Sequence, residues 1–212
     1  MMKDMIEAIE EGNPMTFRDR IHPQLRAWYD ASGGFDFDHL EEFRARCNAA
    51  ELANLKEDPL VSVRDEMIPG PEDAPEVKVR IYEPANRDDT PLPCLFFYHG
   101  GGFLFGTVYR QENLCQRYVK NAGCVVVSVE YRLAPQWKAP AQLLDCYAAL
   151  TWVHDNAKAL RVDPDRLAVS GLSAVDRAMR ANVRDTLLAV GLTAPNATDA
   201  MKRDNIRNLL FI

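Results

Sequence analysis

The stretch FFYHGGGFLFG, residues 96–106, joins an apolar run directly to a histidine and three consecutive glycines. Glycine weakens the interiors of helices and strands, so the three glycines do not build a core. Bare backbone after a buried strand can instead present N–H groups to an anion. This motif alone leaves two interpretations open, an oxyanion hole and a glycine-rich turn.

The apolar run before the glycines is one of three that predict buried strands. The runs LPCLFFYH, CVVVSVEY and LAVSG predict strands at 92–98, 124–130 and 166–170. Near-continuous apolar runs are typical of parallel strands that are covered on both faces. Two stretches of helical composition, beginning at Tyr109 and Pro140, separate the strands. This alternation predicts an α/β protein with a doubly wound, mostly parallel sheet.

The segments on the N-terminal side of the glycine motif predict two further layers. Residues 1–55 have helical spacing, and we expect His22 and His39 to lie within those helices. Residues 60–70 alternate in part between apolar and polar side chains, and residues 76–84 alternate cleanly. Both patterns predict antiparallel strands on one side of the sheet. In the second crossover helix, the spacing predicts an apolar side formed by Leu143, Leu144, Tyr147, Leu150 and Val153.

A second chemical signal lies about 70 residues beyond the glycines. The stretch LAVSGLSAV, residues 167–175, places Ser173 after a buried strand and before a helical segment. This is the arrangement of a nucleophile elbow, in which the N–H of the next residue, Ala174, faces the same anion. The small residues Gly171 and Ala174 fit the tight turn, whereas Val175 stands where the elbow motif has glycine. A serine after a strand is also a common helix N-cap.

The two signals together resemble the hormone-sensitive-lipase-like carboxylesterase branch of the α/β-hydrolase family. The resemblance covers about residues 15–174 and is carried by HGGGF, VSVEYRLAP, DCYAALTWVHDNA and VDPDRLAVSGLSA. It implies a partial α/β-hydrolase fold with N-terminal cap helices over 1–55 and a core over 56–174. It also implies a small acyl-ester substrate, an acyl-enzyme mechanism, and no metal or organic cofactor.

The resemblance assigns roles residue by residue. Ser173 is the implied nucleophile, and the implied oxyanion-hole donors are Gly101, Gly102 and Ala174. His99 and Gly100 are implied to shape the loop, with no role for His99 as the catalytic base. Each oxyanion donor is typically worth about 3 kcal/mol in the transition state.

The resemblance stops at Ala174. The family pattern around the nucleophile is G-D-S-A-G-G, whereas this chain has GLSAVD, and residues 175–212 form an unrecognised tail with helical spacing. The tail is interpreted either as a native cover or as foreign sequence joined by a frameshift or rearrangement. The family's catalytic acid and histidine lie beyond the elbow, and here no histidine follows His154.

We therefore expect a hydrolase that is truncated after the elbow and has little or no activity alone. The alternative is a non-catalytic binding or interaction protein that reuses the fold. A further possibility is that a second polypeptide supplies the missing strands and the base.

Composition limits the class of partner. The net charge of −6 argues against nucleic acid and anionic membranes as partners. No apolar run reaches the roughly 20 residues of a membrane span, and the acidic N-terminus is unlike a secretory signal. Five scattered cysteines indicate reduced thiols and a cytoplasmic location. We also expect self-association through the open edge of the strand at 166–170.

Overall fold

The computed structural model describes residues 20–32 and 38–172, and the chain divides into two compact units, Met1–Phe43 and Arg44–Ile212. Helix α1 spans Pro23–Ser32, and helix α2 spans Leu40–Ala53. These helices confirm the helical prediction where it falls on described residues. The predicted boundaries at residues 55 and 174 stay predictions, and the helices predicted in the tail lie outside the described residues.

His22 and His39 directly precede the two helices, so their prediction within helices is wrong. Proline fixes φ near the helical value and lacks an N–H, which makes Pro23 a natural first residue for α1. The carbonyl of His39 accepts the amide of Phe43 at 3.0 Å, as a residue at a helix start does.

The described part of the second unit contains a five-stranded sheet in the order β1-β2-β4-β3-β5. The first two pairings, β1 with β2 and β2 with β4, are antiparallel, whereas β4–β3 and β3–β5 are parallel. Only β2 therefore runs against the other four strands. This confirms the α/β class and the antiparallel strands at one side. The strands are Val61–Ile68, Val77–Pro84, Leu92–Tyr98, Val125–Glu130 and Val162–Gly171.

Helices cover both faces of the sheet. Helix α3, Glu112–Ala122, packs on one face through Cys115 and Val119. Helices α4, Ala141–Asp155, and α5, Ala157–Leu160, contribute Cys146, Ala149, Val153 and Leu160 to the core on the other face. The alternation in β2 is confirmed, since Val77, Val79 and Ile81 are all buried in that second core.

The buried side of α4 differs from the predicted one. Val153 is buried as predicted, but Leu143, Leu144, Tyr147 and Leu150 are only half-buried. The residues with the lowest exposure are instead Ala141, Gln142, Asp145, Cys146, Ala149 and Val153. The prediction ranked side chains by hydrophobicity, whereas a buried ion pair at Asp145 fixes which way the helix faces.

Strand β5 is longer and less buried than predicted. It begins at Val162, where a register shift opposite β3 accommodates the Asp163–Arg166 segment. Arg166 is exposed and Leu167 is half-buried, while Ser170 is buried. A strand with one described neighbour, β3, has fewer atoms packed around it than a central strand has. Self-association at this edge stays a prediction.

Candidate active site

Because β3 and β5 are paired and parallel, their carboxyl ends lie side by side, at the point where the two motifs leave the sheet. Tyr98, the last residue of β3, is in register with Gly171, the last residue of β5. The amide of Leu172 then donates to the carbonyl of Tyr98 at 3.4 Å. The HGGG loop thus begins beside the segment that leads to Ser173. Ser173 and Ala174 themselves lie outside the described residues, so their roles stay predictions.

The backbone of the loop requires glycine at residues 101 and 102 for different reasons. Gly101 has φ +136°, and a Cβ there would lie 1.8 Å from the carbonyl oxygen of Phe105. Gly102 has φ +61°, but a Cβ there would meet nothing within 4 Å. Close approach and φ therefore both demand glycine at 101, whereas φ alone favours it at 102. The space beside Gly102 is open.

The amides of Gly101 and Gly102 donate no hydrogen bond in the part of the chain that the structure describes. The loop instead satisfies its carbonyls, since the amides of Leu104 and Phe105 both donate to the oxygen of Gly101, at 2.9 and 3.2 Å. Unengaged N–H groups on a rigid loop are what an oxyanion hole needs. The geometry is compatible with the donor roles predicted for both glycines.

His99 is tied to the backbone of its own loop. The ring is buried, and Nδ1 lies 3.0 Å from the carbonyl oxygen of Gly100. Because a carbonyl only accepts, this contact places the proton on Nδ1. The Tyr131 hydroxyl donates to the carbonyl of His99 at 2.6 Å, and the two rings stack at 4.2 Å. Nε2 is buried and has no hydrogen-bond partner among residues 20–32 and 38–172.

Burial lowers the pKa of His99 from 6.5 to about 4, because the charged imidazolium loses its hydration. The unfolded chain therefore binds this proton more tightly than the native protein does. The stability that the neutral His99 ring contributes is fully present above pH 6.5 and is lost progressively as the pH falls toward 4.

We expect the free energy of unfolding to fall by about 2 kcal/mol from this group between pH 7 and pH 5. Urea titrations at both values, for wild type and His99→Gln, measure it: the pH-dependent loss should be smaller in the variant. The ring proton resonances of His99 provide a check that does not depend on a variant. A His99 titration near pH 6.5 in the native protein would contradict this expectation.

Sequence reasoning missed a buried ion pair behind the site. Asp145 is fully buried on α4, and its carboxylate accepts the backbone N–H of Arg132 at 2.8 Å. The Arg132 guanidinium also reaches both carboxylate oxygens, with Nε at 3.0 and 2.9 Å. The sequence did contain a signal for this pair: Asp145 is an acidic residue beside Cys146 in a part of the helix that is otherwise apolar.

Sequence reasoning also missed Arg44 on α2, for which the sequence carried no signal. Its Nε donates to the carbonyl of Leu104 at 2.5 Å, and its Nη1 donates to the side-chain oxygen of Gln136 at 2.9 Å. Its other terminal nitrogen donates to the carbonyl of Ala134. One side chain therefore joins the glycine loop to the loop that follows β4.

The remaining features of the described residues do not extend the site. A cleft of about 420 Å³ lies between α2 and the start of α3 and is lined by residues including Glu51, Asn54, Arg110 and Arg117. Residues 20–32 and 38–172 contain no cluster of three or more histidine, cysteine, aspartate or glutamate residues that could hold a metal ion. Within the same ranges, no helix has the length and apolar character needed to cross a membrane.

Comparison with known proteins gives consistent matches. Residues 95–174 match the family model described as the alpha/beta hydrolase fold. The chain is 34% identical over 152 residues to an arylesterase of Saccharolobus solfataricus, covering 71% of this chain and 48% of the relative. It is 40% identical over 141 residues to the carboxylesterase NlhH of Mycobacterium tuberculosis, covering 65% of this chain and 42% of the relative.

A solved structure agrees with these matches. The bacterial heroin esterase is 37% identical, with a TM-score of 0.69 over 83% of this chain and 56% of that chain. The chain thus spans about half the length of the relatives it matches. By motif order, sheet topology and sequence, the chain has part of the α/β-hydrolase fold and is similar to the hormone-sensitive-lipase-like carboxylesterase branch of that family.

Proposed function

We propose that this chain carries the nucleophile and the oxyanion hole of a serine carboxylic-ester hydrolase. The observation that carries the proposal is the register of Tyr98 with Gly171, which sets the HGGG loop beside the segment leading to Ser173. Relatives named as arylesterase and carboxylesterase support an ester as the substrate class. We further propose a small acyl group, as the sequence resemblance implies.

In this mechanism, the Ser173 hydroxyl attacks the ester carbonyl and its proton passes to a base. The carbonyl electrons move onto oxygen, and the amides of Gly101, Gly102 and Ala174 donate to the resulting oxyanion. Collapse of the tetrahedral intermediate expels the alcohol and leaves an acyl-enzyme, which water then hydrolyses. Preorganised amides need no rearrangement when the charge develops, and this is the source of their effect.

The positions of His99 and His154 support a low activity for the 212-residue polypeptide. The Nδ1 of His99 faces the carbonyl of Gly100, and its ring is stacked on Tyr131. His154 lies at the exposed end of α4 next to Asp155. A serine hydroxyl needs a positioned base, and loss of that base typically costs several orders of magnitude in rate.

We expect the purified polypeptide to hydrolyse p-nitrophenyl butyrate only slightly above the buffer rate, with the excess abolished in Ser173→Ala. The measurement is release of p-nitrophenolate at pH 7.5, and Ser62→Ala, at an exposed serine of β1, serves as a control for a serine outside the site. Turnover on the order of 10 per second that depends on Ser173 would show that the polypeptide does contain a base. An excess rate that survives Ser173→Ala would overturn the proposed nucleophile.

A further inference from the structure

The glycine loop contains two consecutive residues in the left-handed region. Gly102 has φ +61°, and the next residue, Phe103, has φ +63° although it carries a side chain. A residue other than glycine in this conformation costs roughly 1–3 kcal/mol and persists only when its surroundings hold it there. The conformation of Phe103 thus needs a restraint from outside the loop.

The loop after β4 supplies the first part of that restraint. The amide of Ala134 donates to the carbonyl of Phe103 at 2.9 Å. This hydrogen bond fixes the peptide plane that follows Phe103. Because Ala134 is itself in a loop, it restrains Phe103 only if its own position is fixed.

Arg44 fixes both loops at once. Its guanidinium donates to the carbonyl of Leu104, the residue after Phe103, and to the carbonyl of Ala134, whose amide bonds to Phe103. It also donates to the side chain of Gln136. A guanidinium is planar and carries five N–H donors in a fixed fork, so it can hold several acceptors in one geometry. A lysine ammonium at the same place is a compact charge without that fork.

We infer that Arg44 is a positioning residue for the oxyanion hole: by holding Leu104 and Ala134 together, it keeps Phe103 in the left-handed conformation and keeps the Gly101 and Gly102 amides turned away from their own loop. The inference rests on the proposed function for its catalytic meaning. Its structural content, the coupling of two loops through one side chain, is tested separately.

The first measurement is hydrogen exchange, which does not require activity. The amides to follow are those of Leu104, Phe105 and Ala134, because each donates a hydrogen bond within the coupled loops. In Arg44→Ala and Arg44→Lys, we expect hydrogen exchange at these three amides to be at least tenfold faster than in wild type. The exchange rates of the strand amides should be unchanged. Arg117→Ala, which removes an exposed arginine on α3, is the matched control and should leave them unchanged.

The second measurement is the rate at which a fluorophosphonate probe labels Ser173, followed by intact mass over hours. Misplacing a reacting group by about 1 Å can cost about 100-fold in rate, so we expect a 10- to 100-fold slower labelling in Arg44→Ala. Methylguanidine in the buffer should restore part of the rate in Arg44→Ala, with no effect on wild type. The rates are compared on folded protein, where a residue that only raised the free energy of unfolding would leave the labelling rate unchanged.

The outcomes separate the two proposals. Folded Arg44 variants that keep wild-type exchange at the three amides overturn the positioning role. If labelling of the polypeptide survives Ser173→Ala, the proposed nucleophile is wrong, and the exchange data still decide whether Arg44 couples the loops. If Arg44→Ala does not fold, Arg44→Lys decides: fast exchange in its two loops supports the role, and wild-type exchange overturns it.

Discussion

Gly101→Ala should destabilise the protein by about 4 kcal/mol, because two costs add at this position. A methyl group would lie 1.8 Å from the carbonyl oxygen of Phe105, so the turn that closes the loop must open. The φ of +136° is in addition a conformation that residues with a side chain rarely adopt. Urea unfolding at pH 7, followed by tryptophan fluorescence, measures the change.

Gly102→Ala is the matched control one residue away. Its new methyl group would meet no atom within 4 Å, so only the φ of +61° is costly, and we expect a loss of about 1–2 kcal/mol. Equal losses in the two variants would mean that the contact with Phe105 does not constrain the loop. A loss below 1 kcal/mol at Gly101 would contradict the loop geometry itself.

Asp145→Asn should cost about 3–5 kcal/mol, because it leaves a poorly solvated arginine without its counter-charge. The Arg132 side chain is only 14% exposed and Asp145 is fully buried, so water cannot replace the lost carboxylate. The substitution keeps the shape of the side chain, which confines the effect to charge and hydrogen bonding. The free energy of unfolding from urea titration is again the measurement.

Asp155→Asn, on the last turn of the same helix, provides the comparison. Its side chain is 74% exposed, and its one described contact is with His154 at 3.2 Å. We expect a change within about 0.5 kcal/mol, as for most exposed ion pairs. If both aspartate variants changed stability by a similar small amount, the buried pair would not stabilise the native state.

The sequence predicted the strands well because their signals are local. The apolar runs at 92–98 and 124–130 fall on β3 and β4, and the alternation at 76–84 falls on β2. Period-2 alternation and continuous apolar runs report how many faces of a strand are covered. The motifs then placed the glycine loop at the end of β3, where the structure has it.

The features that the sequence did not predict depend on distant partners. The buried face of α4 includes Asp145, which pairs with Arg132 just beyond the end of β4, and a hydrophobicity pattern counts a buried carboxylate as exposed. The contacts of Arg44 with Leu104 and Ala134 join positions far apart in the chain. A side chain would clash at Gly101 but not at Gly102, and the difference comes from the position of the Phe105 carbonyl. The position of one carbonyl cannot be predicted from composition.

The register of β3 with β5 has a consequence for biosynthesis. Tyr98 and Gly171 are roughly 70 residues apart, and chains grow at about 5–20 residues per second, so the ribosome completes the glycine loop about 4–14 seconds before its neighbouring strand. During that interval one edge of Leu92–Tyr98 has no β5 to pair with, beside the apolar side chains of Phe96 and Phe97. Nascent chains that have not yet reached Val162 therefore present an unpaired apolar strand edge, the kind of surface that chaperones protect.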